Sequence, residues 1–407
     1  MKKIDYKWVM LILVSFAYFL AQGARNVYGA VLPSISAELG LTKASSGTIA
    51  STFFMVFGLM IPFAGFFADF FRRKWMIVIG MTIFSLATIG TGFANSMMML
   101  LIFYGIVNAC GQSLMPPSNS SLIGQLHVET RARAFAIYQT IFYIGIVVCC
   151  CAGGKLAMLG TGGWRHAFQY IGLVGMALVL VLIFFLRDTP QPVSDNGTVE
   201  KAKISDGILA FFKKPTAILL MIALGFYFYS TNSFKTWSVT FLEKAMNQTH
   251  ESASFHGTFW FYIGAIAGVQ SAGYISDRLK SLREGIRLET NIAGLLLMIP
   301  FILIASYTNN MVVMCVSIFF FGFSTGVYDS NLYAALLDVV NPRYRAAAIG
   351  IFGCGGCLLG APGPAIQGIM INSFGDRHSM AFLAIFSLLG AAIILIARAA
   401  TFRHDKV

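Results

Sequence analysis

The sequence predicts an all-α membrane protein with twelve transmembrane helices in two pseudo-symmetric six-helix bundles. Of its 407 residues, 57% are hydrophobic and only 11% are charged, whereas soluble domains carry about 25% charged residues. The apolar residues form runs long enough to cross a bilayer, which takes about 20 residues. Landmarks of the first half also recur in the second half at a nearly constant spacing.

The predicted spans are separated by charged or Gly/Pro-rich breaks. They cover residues 8–32, 46–69, 75–94, 97–122, 133–156, 164–187, 215–242, 253–276, 286–306, 310–338, 345–371 and 379–401. The one long polar break lies in the middle of the chain. We therefore expect an N-terminal bundle at 1–187, a cytoplasmic linker at 188–214 with a short amphipathic piece near its end, and a C-terminal bundle at 215–407.

The 29 Lys and Arg residues are distributed unevenly. Five lie in or beside one alternate set of loops and two, Arg25 and Lys235, lie deep inside predicted spans, while all the others lie near the termini or in or beside the opposite set of loops. Because cytoplasmic loops are enriched in Lys and Arg, we expect a multi-pass protein of a bacterial inner membrane with both termini in the cytoplasm. This topology accounts for the net charge of +12 without a nucleic-acid partner.

Three pairs of landmarks indicate an internal repeat with an offset of 208 to 212 residues. The pairs are Arg25 with Lys235, Gly65 and Asp69 with Gly273 and Asp277, and Arg131 and Arg133 with Arg343 and Arg345. Parallel six-helix repeats with a substrate site near the bilayer midplane are typical of one large class of secondary transporters.

The segment GFFADFFRRK, Gly65 to Lys74, resembles the loop motif G-x-x-x-D-[RK]-x-G-R-[RK] of the major facilitator superfamily. Phe70 and Arg72 depart from the motif, and the second copy keeps its Gly, its Asp and one Arg. The resemblance implies the major facilitator fold and a cytoplasmic gate formed by Asp69, Arg73, Lys74, Asp277, Arg278, Arg131 and Arg343. The alternative is a charge cluster that serves only the topology.

Two stretches resemble the organophosphate:phosphate antiporters of that superfamily. LAQGARNVYGAVLP, Leu20 to Pro33, resembles their first helix, in which an Arg lies eight residues before a Pro, as Arg25 does here. TWSVTFLEKA, Thr236 to Ala245, resembles part of their seventh helix, although Val239 replaces a Pro. The resemblance implies a pair of cations that bind an anion.

A third stretch, Met115 to Ile137, resembles the fourth helix of the anion:cation symporters of sugar acids and other carboxylates. Those symporters tend to carry an Asp before the first-helix Arg, and an Arg and a Glu in the fourth helix. Ala24, Tyr104, and Gly111 or Gln112 stand at the matching positions. The usual proton-carrying carboxylates of the N-terminal half are therefore missing, which weakens proton symport without excluding it.

Arg25 and Lys235 lie at matching depths in their predicted spans. A cation inside a bilayer costs several kcal/mol and usually faces a cavity or a partner, and the planar guanidinium fits carboxylate, sulfonate or phosphate oxygens. We therefore predict a central anion site with Arg25 and Lys235 as ligands. Its hydroxyl-recognising residues would be Tyr28, Asn232, Asn331 and Tyr333. Alternatively, Arg25 pairs with an acid of another helix, and Lys235 pairs with Asp329 or extends to the membrane surface.

Asp329 is the one acidic residue that we place deep in a predicted span. Three roles are open for it: the proton carrier, a permanent counter-ion for Lys235 or Arg25, and a ligand for a substrate hydroxyl or ammonium group. We assign it to coupling, which would be either proton symport or exchange for a counter-anion.

The sequence lacks the signatures of an enzyme. There is no Walker A motif, the six His residues lie in loops or near span ends, and the pair Cys354 and Cys357 lies in an apolar run without a nearby His. We therefore expect no catalytic residue, no metal and no cofactor. The predicted function is a monomeric secondary transporter of a small organic anion (a sugar acid, carboxylate, sulfonate or sugar phosphate) that works by alternating access. The alternatives are proton-coupled drug efflux and a transport-dead anion sensor of the same fold.

Overall fold

The computed structural model describes residues 6–70, 72–127, 130–187, 204–279, 285–341 and 344–406, without the side chains of 66–70, 131–132, 204–206, 277 and 346. Every regular element in these ranges is helical. The chain divides into two compact units. The first unit is Met1–Gly197 with Thr249–Thr258, and the second is Thr198–Gln248 with Phe259–Val407.

The first unit contains six long helices. They are α1 (Tyr6–Leu39), α2 (Lys43–Phe70), α3 (Arg73–Gly92), α4 (Met97–Leu126), α5 (Arg131–Ala157) and α6 (Gly163–Phe185). α1 packs mainly along α5, and α3 mainly along α6. α4 is irregular because it includes a π-helical stretch at Leu101–Asn108, and such stretches often mark functional sites.

The second unit begins with a short helix and continues with long ones. They are α7 (Ile204–Phe212), α8 (Pro215–Met246), α9 (His250–Leu279), α10 (Ile286–Tyr307), α11 (Met311–Leu337), α12 (Arg345–Gly360), α13 (Gly363–Phe374) and α14 (Asp376–Ile396). The beginning of α9, up to Thr258, belongs to the first unit. The chain ends in a π-helical turn, Ala397–Thr401, and a short helix, α15 (Phe402–Asp405). The break between α12 and α13 contains Pro362, whose missing N–H interrupts the helical hydrogen bonds.

Each of the twelve predicted spans corresponds to a helix or, at 345–371, to the consecutive helices α12 and α13, so the predicted fold class is confirmed. Eleven helical segments of the described residues are long and apolar enough to cross a membrane. α9 is not among them, although it has 30 residues. Its first turn carries His250 and Glu251, and its last carries Asp277 and Arg278, so polar residues occupy both ends of the helix.

Helices α9 and α11 pack at very short range through glycines. Gly264 and Gly268 of α9 face backbone atoms of α11, and Gly322 and Gly326 of α11 face backbone atoms of α9. Small residues four positions apart allow two membrane helices to approach this closely. The contact fixes α11, which carries Asp329 three residues after Gly326.

Candidate functional site

Arg25 lies in the middle of α1 beside three phenyl rings of α2. Its guanidinium carbon is 5.0 Å from the ring centroid of Phe53, 4.6 Å from that of Phe54 and 4.7 Å from that of Phe57. All three rings are buried, whereas Arg25 keeps part of its surface exposed. We call Phe53, Phe54 and Phe57 the Phe cage. A guanidinium within about 6 Å of an aromatic ring is attracted to the face of that ring, so the cage holds the charge at a defined place.

The backbone of Arg25 is held by Tyr104 of α4. The Tyr104 hydroxyl donates a hydrogen bond of 2.8 Å to the Arg25 carbonyl oxygen, and its ring stacks on Tyr28 with centroids 4.5 Å apart. Tyr28 in turn donates its hydroxyl hydrogen to the Ser46 carbonyl at 2.8 Å and is almost completely buried. Tyr28 therefore connects α1 to α2. Its role in binding substrate hydroxyls stays a prediction.

A layer of polar and aromatic residues lies along α1 one to two turns before Arg25. Tyr18 stacks on Tyr138 of α5, with ring centroids 5.0 Å apart, and its hydroxyl is hydrogen-bonded to the Gln22 side chain. The Tyr138 hydroxyl accepts a 3.1 Å hydrogen bond from Asn119 of α4. Gln22, three residues before Arg25 in α1, is therefore part of a polar connection among three helices.

Gln112, one of two candidates for the position of a symporter glutamate, belongs to a buried amide chain in α3 and α4. Its amide nitrogen donates to Asn108 Oδ1 at 2.7 Å, and Asn108 donates to Thr88 Oγ1 at 3.0 Å. These neutral side chains are hydrogen-bonded to one another without a carboxylate. The first unit therefore offers no proton carrier at this position.

In the second unit, Asp329 and Lys235 lie close enough to interact electrostatically. The Tyr227 hydroxyl of α8 donates a 2.7 Å hydrogen bond to Asp329 Oδ1, and the Tyr227 ring stacks on Tyr328 with centroids 4.2 Å apart. Lys235, also on α8, interacts electrostatically with Asp329, and its Nζ lies 5.5 Å from the centroid of the Phe261 ring. The sequence reasoning missed Tyr227, because nothing in the local sequence distinguishes it from the many other aromatic residues.

The other predicted ligands of the second unit have different surroundings. Asn331 is buried, accepts a hydrogen bond from Ser276 Oγ at 2.9 Å and donates one to Ser330 Oγ at 3.0 Å. Asn232 is also buried. Tyr333 is 44% exposed and packs edge-on against Phe352. The structure thus joins Asn331 to α9, and the roles of all three residues in substrate recognition stay predictions.

Part of the predicted gate lies outside what the structure describes. Arg343 lies outside the described residues, as do the side chains of Asp69, Asp277 and Arg131. Arg73 is partly buried and Arg278 is exposed. The remaining predicted gate residue is Lys74, whose Nζ donates a 2.6 Å hydrogen bond to the Ile183 carbonyl oxygen near the end of α6.

The described residues contain no group of three or more His, Cys, Asp or Glu side chains that could hold a metal ion. All seven cysteines, which lie within the described ranges, are free thiols. The arrangement around Arg25 can instead bind an anion through charge-assisted hydrogen bonds, and the group around Asp329 can exchange a proton or hold a counter-charge.

Comparisons with known proteins give the chain its family. The family model of the Major Facilitator Superfamily matches residues 14–290 and 239–406. The probable sulfoacetate transporter of Cupriavidus necator is 24% identical over 414 residues, which cover 97% of this chain and 94% of that protein. The D-galactonate transporter of Escherichia coli O6:H1 is 23% identical and covers 95% of this chain and 94% of its own length.

A solved structure has the same fold. The crystal structure of a bacterial homologue of the human lysosomal transporter Spinster, in an inward-facing and unoccupied conformation, matches with a TM-score of 0.85 and 22% identity. The match covers 100% of this chain and 99% of that one. By its family match along almost its entire length, the chain belongs to the Major Facilitator Superfamily and is a membrane transporter rather than an enzyme.

Proposed function

We propose that the protein is a secondary transporter that moves a small organic anion by alternating access, with Arg25 as the principal anion ligand. The observation that carries this proposal is a permanently charged guanidinium held in the middle of a membrane helix by three buried phenyl rings. A fixed positive charge at this depth is costly and marks a functional site. The relatives named for sulfoacetate and D-galactonate, both anions, support the same substrate class.

We assign coupling to Asp329, with Tyr227 as the group that orients its carboxylate. The carboxylate accepts a hydrogen bond from Tyr227 and interacts with Lys235. Protonation of Asp329 would therefore remove the negative charge that offsets the charge of Lys235. Either a proton or a counter-anion drives the cycle in this proposal. In the first case Asp329 carries the proton, and in the second it serves as a permanent counter-ion to Lys235.

The membrane placement is part of the proposal. The excess of Lys and Arg in one set of loops supports a bacterial inner membrane with both termini in the cytoplasm. The proposed halves are 1–187 and 215–407, with 188–214 as the linker, and the proposed working form is a monomer. Asp69 and Asp277, at corresponding positions in the two repeats, would form the centre of the cytoplasmic gate.

The proposal is tested by thermal unfolding of the purified protein with a panel of sugar acids, sulfonates, dicarboxylates and sugar phosphates. A ligand at 100 times its dissociation constant stabilises the folded protein by about 2.7 kcal/mol. We expect one anion class to raise the melting temperature of the wild type and of an Arg403→Ala control, because Arg403 is exposed near the C-terminus. The same anions should not stabilise Arg25→Ala. Stabilisation by cations or neutral solutes alone would contradict the proposal and favour drug efflux.

A further inference from the structure

We infer that the Phe cage makes Arg25 selective for head groups with a single negative charge, such as a carboxylate, sulfonate or sulfate ester, over the dianionic phosphate of a sugar phosphate. The inference rests on the proposed function, in which Arg25 binds the anion. It goes further because the guanidinium alone would fit all of these head groups.

The Phe cage presents an apolar surface to the anion, whereas a doubly charged head group needs hydrogen-bond donors around it. The rings of Phe53, Phe54 and Phe57 all lie within 5.0 Å of the guanidinium carbon, and each is at most 8% exposed. Phenyl rings attract the cation but offer no hydrogen bond to an anion. They also exclude part of the water that would otherwise solvate a second negative charge.

The two tyrosines beside the cage do not compensate for this. The Tyr104 hydroxyl donates to the carbonyl oxygen of Arg25, and the Tyr28 hydroxyl donates to the carbonyl oxygen of Ser46. Each hydroxyl has only one hydrogen to donate. Both hydrogens are used by the backbone, so neither stabilises a phosphate oxygen in this arrangement.

The charges of the predicted spans point the same way. Arg25 is the one Lys or Arg of the first half that lies deep in a predicted span; the others lie at span ends or in loops. In the second unit Lys235 and Asp329 carry opposite charges and interact with each other, so together they contribute little net charge. The charge that the first unit offers to an anion at this depth is therefore that of Arg25, which a head group with one negative charge neutralises.

The physical basis of the selectivity is that the desolvation cost rises with the square of the ligand charge. Doubling the charge increases the Born cost about fourfold, whereas the attraction to a single guanidinium increases only about twofold. In bulk water this difference is small because the ions stay hydrated. Beside three buried phenyl rings it favours the monoanion.

The test uses ligands that differ in the charge of the head group. Glucose 6-sulfate is compared with glucose 6-phosphate, and galactonate is added as a carboxylate. Dissociation constants are measured at pH 8 by thermal shift on the full-length wild type and on Arg25→Ala. We expect the single-charge head groups to bind at least about tenfold more tightly, a free-energy difference of about 1.4 kcal/mol.

A second arm of the test uses pH. The phosphate ester loses its second proton with a pKa of about 6, so glucose 6-phosphate is mainly a monoanion at pH 5, while glucose 6-sulfate keeps one charge throughout. The affinity of the phosphate relative to the sulfate should therefore rise as the pH falls from 8 to 5. Because the sulfate is measured at each pH, changes in the protein itself cancel.

A cage variant tests whether the rings are responsible. Phe54→Leu keeps most of the volume but removes one ring, and Phe63→Leu is the matched control because Phe63 lies on the same helix and is 56% exposed. We expect Phe54→Leu to weaken binding of the single-charge ligands about threefold to tenfold and to reduce their advantage over the phosphates. The Phe63→Leu control should keep the wild-type affinity for the single-charge ligands and their advantage over the phosphates.

The possible outcomes separate this inference from the proposed function. Stabilisation confined to ligands with a single-charge head group at pH 8 supports both. Glucose 6-phosphate that binds as tightly as glucose 6-sulfate at pH 8, and depends on Arg25, overturns the selectivity and leaves the proposed function intact. Stabilisation that persists in Arg25→Ala, or no stabilisation by any of the three compounds at pH 8, overturns the inference together with the assignment of Arg25.

Discussion

Replacing Gly322 by alanine tests the close packing of α9 and α11, which positions the helix that carries Asp329. A methyl group added at Gly322 would overlap the backbone of Phe261, including its carbonyl oxygen. A backbone carbonyl of a helix cannot rotate away as a flexible side chain can. The two helices must therefore separate, and the separation also disturbs the contact that Gly326 makes with Ala265.

The size of the effect follows from the kind of atoms that collide. Overpacking of a well-filled interior typically costs about 1–3 kcal/mol, and a rigid backbone neighbour places Gly322→Ala at the upper end, about 3 kcal/mol. Gly350→Ala is the matched control, because Gly350 lies in α12 with nothing within 4 Å of the added methyl group. Alanine is the better helix former there, so the control should gain about 0.4–1 kcal/mol.

The assay is unfolding of the two variants and the wild type in the same detergent, with the free energy of unfolding compared at one temperature. We expect the two variants to differ by about 3–4 kcal/mol, the sum of the two effects. Equal stability of Gly322→Ala and Gly350→Ala would show that α9 and α11 do not approach as closely as described, and the placement of Asp329 would lose its support.

Three further predictions concern single polar residues. If a proton drives the cycle, Asp329→Asn should abolish uptake driven by a proton gradient but retain exchange of substrate in proteoliposomes. Equal loss of both would contradict its role as the proton carrier. Asp405→Ala should lower the free energy of unfolding by about 1–2 kcal/mol, because Asp405 Oδ2 accepts a 2.8 Å hydrogen bond from the backbone N–H of Thr216 in the first turn of α8. A variant as stable as the wild type would contradict this. Glu38→Gln should lower the melting temperature more at low salt than at high salt, because Glu38 pairs with Arg165; a loss independent of salt would contradict the ionic contribution.

The sequence predicted the helices well because bilayer thickness sets their length. Apolar runs identify the spans, and the observed helices differ from the predictions mainly at their ends, as in α1, which ends at Leu39 instead of 32. Polar residues at the end of a membrane helix continue the helix beyond the hydrophobic run. The sequence also does not predict the helix break after Gly360, because the glycines and prolines there lie within an uninterrupted apolar run.

Only part of the candidate site can be inferred from the sequence, and its role in binding stays a prediction. The depth of Arg25 in its span can be inferred from the sequence, because a single charged residue is conspicuous in an apolar run. The Phe cage cannot be read in this way, because the chain contains 37 Phe residues and most of them face lipid or neighbouring helices. The hydrogen bond between Tyr227 and Asp329 joins residues 102 positions apart, so only the tertiary structure identifies it.

The most direct test of the central claim is transport by Arg25 variants in proteoliposomes. Counterflow of a labelled anion, chosen as the one that stabilises the wild type most, is compared among wild type, Arg25→Ala and Arg25→Lys. We predict rapid counterflow by the wild type, loss of at least about 100-fold in Arg25→Ala, and partial recovery in Arg25→Lys, which restores the charge without the planar fork. Transport by Arg25→Ala at the wild-type rate, or a wild type that binds the anion without moving it, would contradict the account.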